Sequence, residues 1–212
     1  MKRIHIFCGH YGSGKTNIAV NFAMHLRRQG LPVAIADIDI VNPYFRTKDS
    51  EKDLQEAGID VISLPFANTN VDIPALPGAV YSLVQNRSRY AVFDVGGDDR
   101  GAYALGRYVP YILEEDDFEM YFVVNFYRPL TPTASSALEV LREIEGACGI
   151  PFTAIINNSN LGTLTTSDDL RRTEPLALEL GALSGLPIAM TTADISLGYP
   201  GAFGLKLQTK II

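Results

Sequence analysis

Residues 9–16 read GHYGSGKT, between the apolar run IHIFC (4–8) and the mixed segment NIAVNFAMHLRRQG (17–30). A loop that wraps a phosphate chain needs glycines, because its backbone N–H groups must approach the oxygens closely and adopt positive φ. Gly9, Gly12 and Gly14 supply that freedom. Lys15 is placed to reach the outer phosphates, and the Thr16 hydroxyl to ligate Mg2+. A helix starting near Lys15 would aim its first amides and its dipole at the anion. The context is the required one, a strand before the loop and an amphipathic helix after it. Gly9, His10, Tyr11, Gly12, Ser13, Gly14, Lys15, Thr16 and Asn17 are therefore the candidate nucleotide-binding residues.

Outward from this loop, the chain alternates Ile/Val/Phe-rich runs with longer mixed segments. Strands are predicted at 3–8, 32–37, 59–63, 89–94, 120–125, 152–157 and 187–191. Most are apolar nearly throughout, as strands of a parallel sheet covered on both faces are. Helices are predicted over 15–30, 133–149 and 173–185, and the charged stretch 46–58 reads as a solvated helix face. The expectation is a doubly wound α/β fold with a mostly parallel sheet flanked by helices, the P-loop NTPase fold, in one nucleotide-binding domain over 1–212. Ligands then belong at the carboxyl ends of the strands.

Two strand ends carry carboxylates. The second ends IADIDIVNP, and the two-residue spacing of Asp37 and Asp39 puts both side chains on one side of an extended chain. One would face Mg2+ while the other reaches the γ-phosphate or an attacking water. The fourth ends YAVFDVGGDDRG, four apolar residues and Asp94, which marks a metal-contacting carboxylate. Asp98 and Asp99 are open between that role and helix capping.

The composition excludes several classes. The 212 residues are 47% hydrophobic and 20% charged, ordinary for a soluble globular chain, and the net charge of −6 argues against a nucleic-acid binder. The longest uncharged run, 146–167, contains Pro151, Asn157, Asn158 and Asn160 and reads as no membrane helix. The two cysteines, Cys8 and Cys148, form no C-x-x-C pair and suit buried thiols better than a metal site. No membrane anchor is evident, and a cytoplasmic protein is expected.

Together, GHYGSGKT, DIDIVNP and FDVGG resemble the MinD/ParA/CobQ/CobB group of P-loop NTPases, the SIMIBI class, in particular an ATP-binding branch described as cobyrinic acid a,c-diamide synthase-like. The motifs span about residues 4–100, and the element order extends to about 191. The resemblance implies ATP and Mg2+ as cofactors. It implies Lys15 and Thr16 as phosphate lysine and metal ligand, Asp39 as the residue that positions water, Asp37 and Asp94 as metal supports, and a homodimer. Asn157, ending FTAIINN, matches the position where relatives use an asparagine for the adenine edge; a plain turn former is the other reading. The loop TTADISLG (191–198) would border the base.

The chain departs from this group at His10. MinD and ParA relatives carry a lysine there that reaches the partner subunit's phosphates, and an imidazole is shorter and lacks the permanent charge. Three functions follow. The first is a slowly hydrolysing Mg2+–ATP switch. The second is an ATP-dependent ligase of the dethiobiotin synthetase or cobyrinate-amidating kind, with a small-molecule acceptor against the wall at 64–83. The third is a regulatory protein that binds nucleotide, and a protein partner, without useful catalysis. GTP is disfavoured, because 157–160 (NNSN) is not the N-K-x-D guanine motif.

Overall fold

The computed structural model describes residues 1–38, 50–63, 76–97 and 99–207. Among them eight strands form one sheet in the order β3-β2-β4-β1-β5-β6-β7-β8. They are β1 (Ile4–Cys8), β2 (Val33–Asp37), β3 (Asp60–Ser63), β4 (Tyr90–Asp94), β5 (Phe118–Val124), β6 (Ala154–Asn157), β7 (Ile188–Asp194) and β8 (Phe203–Leu205). Every pairing is parallel. The helices are α1 (Lys15–Arg28), α2 (Glu51–Glu56), α3 (Leu76–Gln85), α4 (Asp99–Gly106), α5 (Val109–Glu115), α6 (Ala134–Cys148) and α7 (Ser167–Ser184). The architecture is the α/β sheet flanked by helices of a P-loop NTPase.

The apolar strands split their side chains by the period of two. Ile4, Ile6 and Cys8 of β1, with Ala91 and Phe93 of β4 and Met120, Phe122 and Val124 of β5, face the layer built from α3, α4, α5, α6 and α7. Phe7, Val92, Tyr121 and Val123 face the layer of α1 and α2. Both faces are covered, so the strands are apolar nearly throughout. Beneath β1, Arg3 pairs with the Glu115 carboxylate and donates to the Leu83, Val84, Asn86 and Arg89 carbonyls, tying α3 and α5 to the sheet.

His5 is the polar exception inside this frame. It is 1% exposed, lies 4.6 Å from the Phe22 ring, and its Nδ1 is 3.1 Å from the Tyr121 hydroxyl. Burial disfavours the imidazolium and lowers its pKa to about 4.

The chain winds from β1 through β2 and β3 on one side, returns to β4, and then builds β5 to β8 on the other. The carboxyl end of β1 therefore sits where the strand order reverses, the place where an open α/β sheet leaves a crevice. Three of the differences from the sequence reading concern the carboxyl half of the sheet. Helix α7 begins at Ser167, not 173, because Thr166 and Asp169 form a capping box and Pro175 lies inside the helix. Strand β7 runs on to Asp194, and the glycine-rich tail contributes β8, which pairs with it. That tail docks on its own sheet: the Asn21 side chain accepts from the Lys206 amide and donates to its carbonyl. Of the stretch 64–83, the described part belongs to α3, with Val80 and Leu83 buried in the core.

Candidate nucleotide site

The loop at the end of β1 is shaped by close approach on three sides. A Cβ on Gly9 would lie 2.2 Å from the Val123 carbonyl oxygen of β5. Gly12 and Gly14 have φ of 78° and 87°, values that side chains with a Cβ rarely adopt. The Ser13 amide donates to the His10 carbonyl at 3.0 Å and closes the turn. Gly14 then caps α1 with no side-chain hydrogen bond to the first-turn amides. A helix start without a side-chain cap, reached by a left-handed glycine, leaves first-turn amides open to an anion. Lys15 and Thr16 begin the helix, both buried.

Beside the loop lies a cavity of about 340 Å3, within the range of small-molecule sites. Gly12, Gly14, Lys15, Thr16 and Asn17 line one wall. The opposite wall comes from the ends of β6 and β7 and from the chain after β8, including Asn158, Asn160, Thr192, Asp194 and Leu207. The exposed Arg128, from the turn after β5, also reaches this cavity. A cationic, amide-rich end and a polar wall flanked by leucines suit a phosphate chain joined to a flat organic group.

The far wall is fixed by a neutral network. Asn158 donates from Nδ2 to the Ser13 carbonyl at 2.6 Å and accepts at Oδ1 from the Thr192 hydroxyl at 2.5 Å. Its amide also fills the space where a Cβ on Gly14 would lie, 2.2 Å away. Asn157, expected at the adenine edge, is fully buried and outside the cavity wall. Its side chain donates to Thr173 and accepts from Ser159, because the last residue of a short buried strand points into the layer below. The cavity-facing asparagines of this turn are Asn158 and Asn160.

On the other side of the loop, Asp37 and Asp94 are register partners at the ends of β2 and β4. Adjacent strands lie about 5 Å apart, so the two carboxylates are neighbours. Both are buried, and neither lines the cavity. The chain beyond β4 packs directly on the loop: a Cβ on Gly97 would fall 1.9 Å from the Gly9 carbonyl oxygen. The Cys8 thiol lies 3.7 Å from the Gly96 carbonyl. Its pKa is raised, first by its hydrogen bond with Cys148 and then by burial, so it is an inert part of this packing. Asp39 and Asp98 lie outside the described residues.

His10 and Tyr11 do not line the cavity: the His10 Nδ1 sits 3.1 Å from the Tyr11 carbonyl oxygen, and Tyr11 is exposed. Of the nine candidate loop residues, five line the cavity. The loop 191–198, expected beside the base, supplies Thr192 and Asp194 to the wall, whereas the sequence reading did not single out Arg128, Asn158 or Asn160 as wall residues. For Asn158 the signal was present, a second asparagine one place beyond the strand end. Arg128 is reached only by a contact 116 residues away.

No protein-family model matches the sequence, and no curated protein matches it. Solved structures do. The signal recognition particle receptor FtsY from Elizabethkingia anophelis is 15% identical, with a TM-score of 0.61 over 96% of this chain and 63% of that one. FtsY from Mycoplasma mycoides is 16% identical, with a TM-score of 0.62 over 96% and 64%. The signal recognition particle 54 kDa protein from Aeropyrum pernix K1, in complex with GDP, is 20% identical, with a TM-score of 0.58 over 93% and 43%. The chain spans less than two thirds of the length of each of these structures. At such identities the likeness shows the fold, which agrees with the sheet and loop described above.

Proposed function

We propose that this chain is a Mg2+-dependent P-loop NTPase that binds a nucleoside triphosphate and hydrolyses it slowly as a switch. One observation carries the reading. A left-handed glycine starts a helix with no side-chain cap at the fold's crevice, with Lys15 and Thr16 at its first positions. The solved neighbours add weight, since two of them are complexes with GDP. In this reading the loop amides and Lys15 hold the phosphates, while Asn17 and the wall at Asn158–Asn160 face the sugar and base. Thr16, Asp37 and Asp94 form a hard oxygen donor set, which suits Mg2+ held by one or two carboxylates together with phosphate oxygens. Bound there, Mg2+ would neutralise charge on the outer phosphates. Asp39 is the proposed water-positioning residue.

ATP is the proposed nucleotide. The turn after β6 reads Asn157-Asn158-Ser159-Asn160 and lacks the lysine and aspartate of the guanine motif. The MinD/ParA/CobQ/CobB branch and a homodimer are proposed from the motif resemblance. His10, with no lysine there to reach a partner's phosphates, gives specific support to a second reading. In that reading the chain is an ATP-dependent ligase that spends the same bound phosphate on an acceptor carboxylate.

The test is nucleotide turnover. Protein at several concentrations is incubated with Mg2+ and ATP, or GTP, and the diphosphate is quantified with Lys15→Ala alongside. Slow ADP formation lost in Lys15→Ala is expected, and a steeper than linear dependence on protein marks a dimer. ATP bound but uncleaved until a metabolite mixture is added moves the assignment to the ligase. Undiminished ATP binding by Lys15→Ala overturns the site.

A further inference from the structure

The cavity wall holds a cation that none of the sequence motifs contains. Arg128 donates from Nε to the Gly12 carbonyl oxygen at 2.9 Å, and its side chain packs against Gly12, where a Cβ would meet Nε at 3.3 Å and Cζ at 3.5 Å. Its backbone is held by the turn NFYRPLT. The Arg128 amide donates to the Asn125 carbonyl at 3.1 Å, and the Arg128 carbonyl accepts from Thr131 at 3.1 Å. The turn is itself stitched to the end of β6, through Asn125 Nδ2 to the Asn160 carbonyl and the Phe126 amide to the Ser159 hydroxyl. Tyr127, the neighbouring residue, is bound to the Asp169 carbonyl of α7.

One guanidinium nitrogen is thus committed to the loop. The two terminal nitrogens have no hydrogen-bond or ion-pair partner among the described residues. Arg128 lines the same cavity as Lys15 and the start of α1. The amide end of α1 and the Arg128 guanidinium both favour an anion in this cavity. Asp194 is the one carboxylate on that wall, and its Oδ1 already accepts the Ser196 amide.

We infer that Arg128 is a nucleotide-binding residue, which lays its guanidinium along the outer face of the loop and donates its terminal N–H groups to the phosphate chain of the bound nucleotide. This rests on the nucleotide reading above. The bond to Gly12 fixes the fork before ligand arrives, so little side-chain freedom is lost on binding. It also gives the β5–α6 turn a way to sense occupancy, through a side chain that touches both loop and ligand.

The test is equilibrium binding of Mg2+–ATP to wild type, Arg128→Ala and Arg128→Lys, with the melting temperature of each protein measured without nucleotide. Arg128 is exposed, so Arg128→Ala should fold and melt within about 2 °C of wild type. Loss of a charge-assisted, two-pronged contact should weaken ATP binding at least about tenfold in Arg128→Ala. Arg128→Lys keeps the charge without the fork and should fall between. ATP affinity within twofold of wild type in Arg128→Ala overturns the inference, as does a loss matched by a lowered ligand-free melting temperature, since the residue would then only brace the loop. Failure of wild type itself to bind any nucleotide is a different result, and it removes the nucleotide reading.

Discussion

On the β5–β7 side of the phosphate loop, the contacts are made by neutral side chains and the Arg128 guanidinium. Asn158 spans the Ser13 carbonyl and the Thr192 hydroxyl, and Asn125 ties the neighbouring turn to Asn160. On the β4–β2 side the loop is met by backbone, Gly97 against Gly9, with two carboxylates ending adjacent strands in register. The difference is chemical. Neutral amides place a ligand without opposing its charge, whereas paired buried carboxylates oppose a phosphate unless a divalent cation intervenes. The first side is suited to holding the nucleotide, and the second to coupling it to metal and water.

The sharpest way to break this division is at Gly97. Alanine there must displace the Gly9 carbonyl or the chain after β4, since the new methyl would sit 1.9 Å from that oxygen. The expected cost is about 3 kcal/mol of stability with a larger loss of nucleotide binding, read by denaturant melts and ATP titration. Gly146→Ala, where a Cβ meets nothing within 4 Å, is the control and should not destabilise. Equal behaviour of the two variants would remove the close-approach account.

Next comes Asn158→Ala, on the holding side. It leaves the buried Ser13 carbonyl and Thr192 hydroxyl without this partner, at about 2 kcal/mol. ATP affinity should fall roughly tenfold as the loop loses its brace. Unchanged affinity would show that the network supports the fold and not the site.

The smallest effect concerns His5, remote from both sides. Its folded pKa of about 4 lies below the ordinary 6.5, so between those values the unfolded chain binds the proton and the folded chain does not. Stability is therefore lost as pH falls from 6.5 towards 4. At pH 5.5 the loss is about 1 kcal/mol relative to pH 7. In His5→Gln that part of the pH slope should vanish in melts taken from pH 7 to pH 5.

What the sequence made legible follows the range of the contacts. The first strand, its loop and α1 are consecutive, so local glycine placement and apolar periodicity gave them within two residues. Strand β8 escaped notice because three residues, FGL, between glycine-rich turns carry no readable period. Helix α7 was started late because Pro175 resembles a helix beginning, while the capping pair Thr166 and Asp169 lies upstream. In the site, Asn158 and Arg128 act on residues 145 and 116 positions away, and no local pattern encodes such pairings. Asn157 and Asn158 are neighbours in sequence, yet one faces the core and the other the cavity, and only the end of β6 decides which.

The most direct measurement is ATP affinity with and without Mg2+ in wild type and Asp94→Asn. Wild type should bind ATP in chelator through the loop and bind it more tightly with Mg2+. Asp94→Asn should keep, or exceed, the chelator affinity and lose most of the gain from Mg2+, as one carboxylate of the pair is neutralised. If Asp94→Asn instead keeps the full Mg2+ gain, or if wild type binds no ATP in either condition, the division between a holding side and a metal side is wrong.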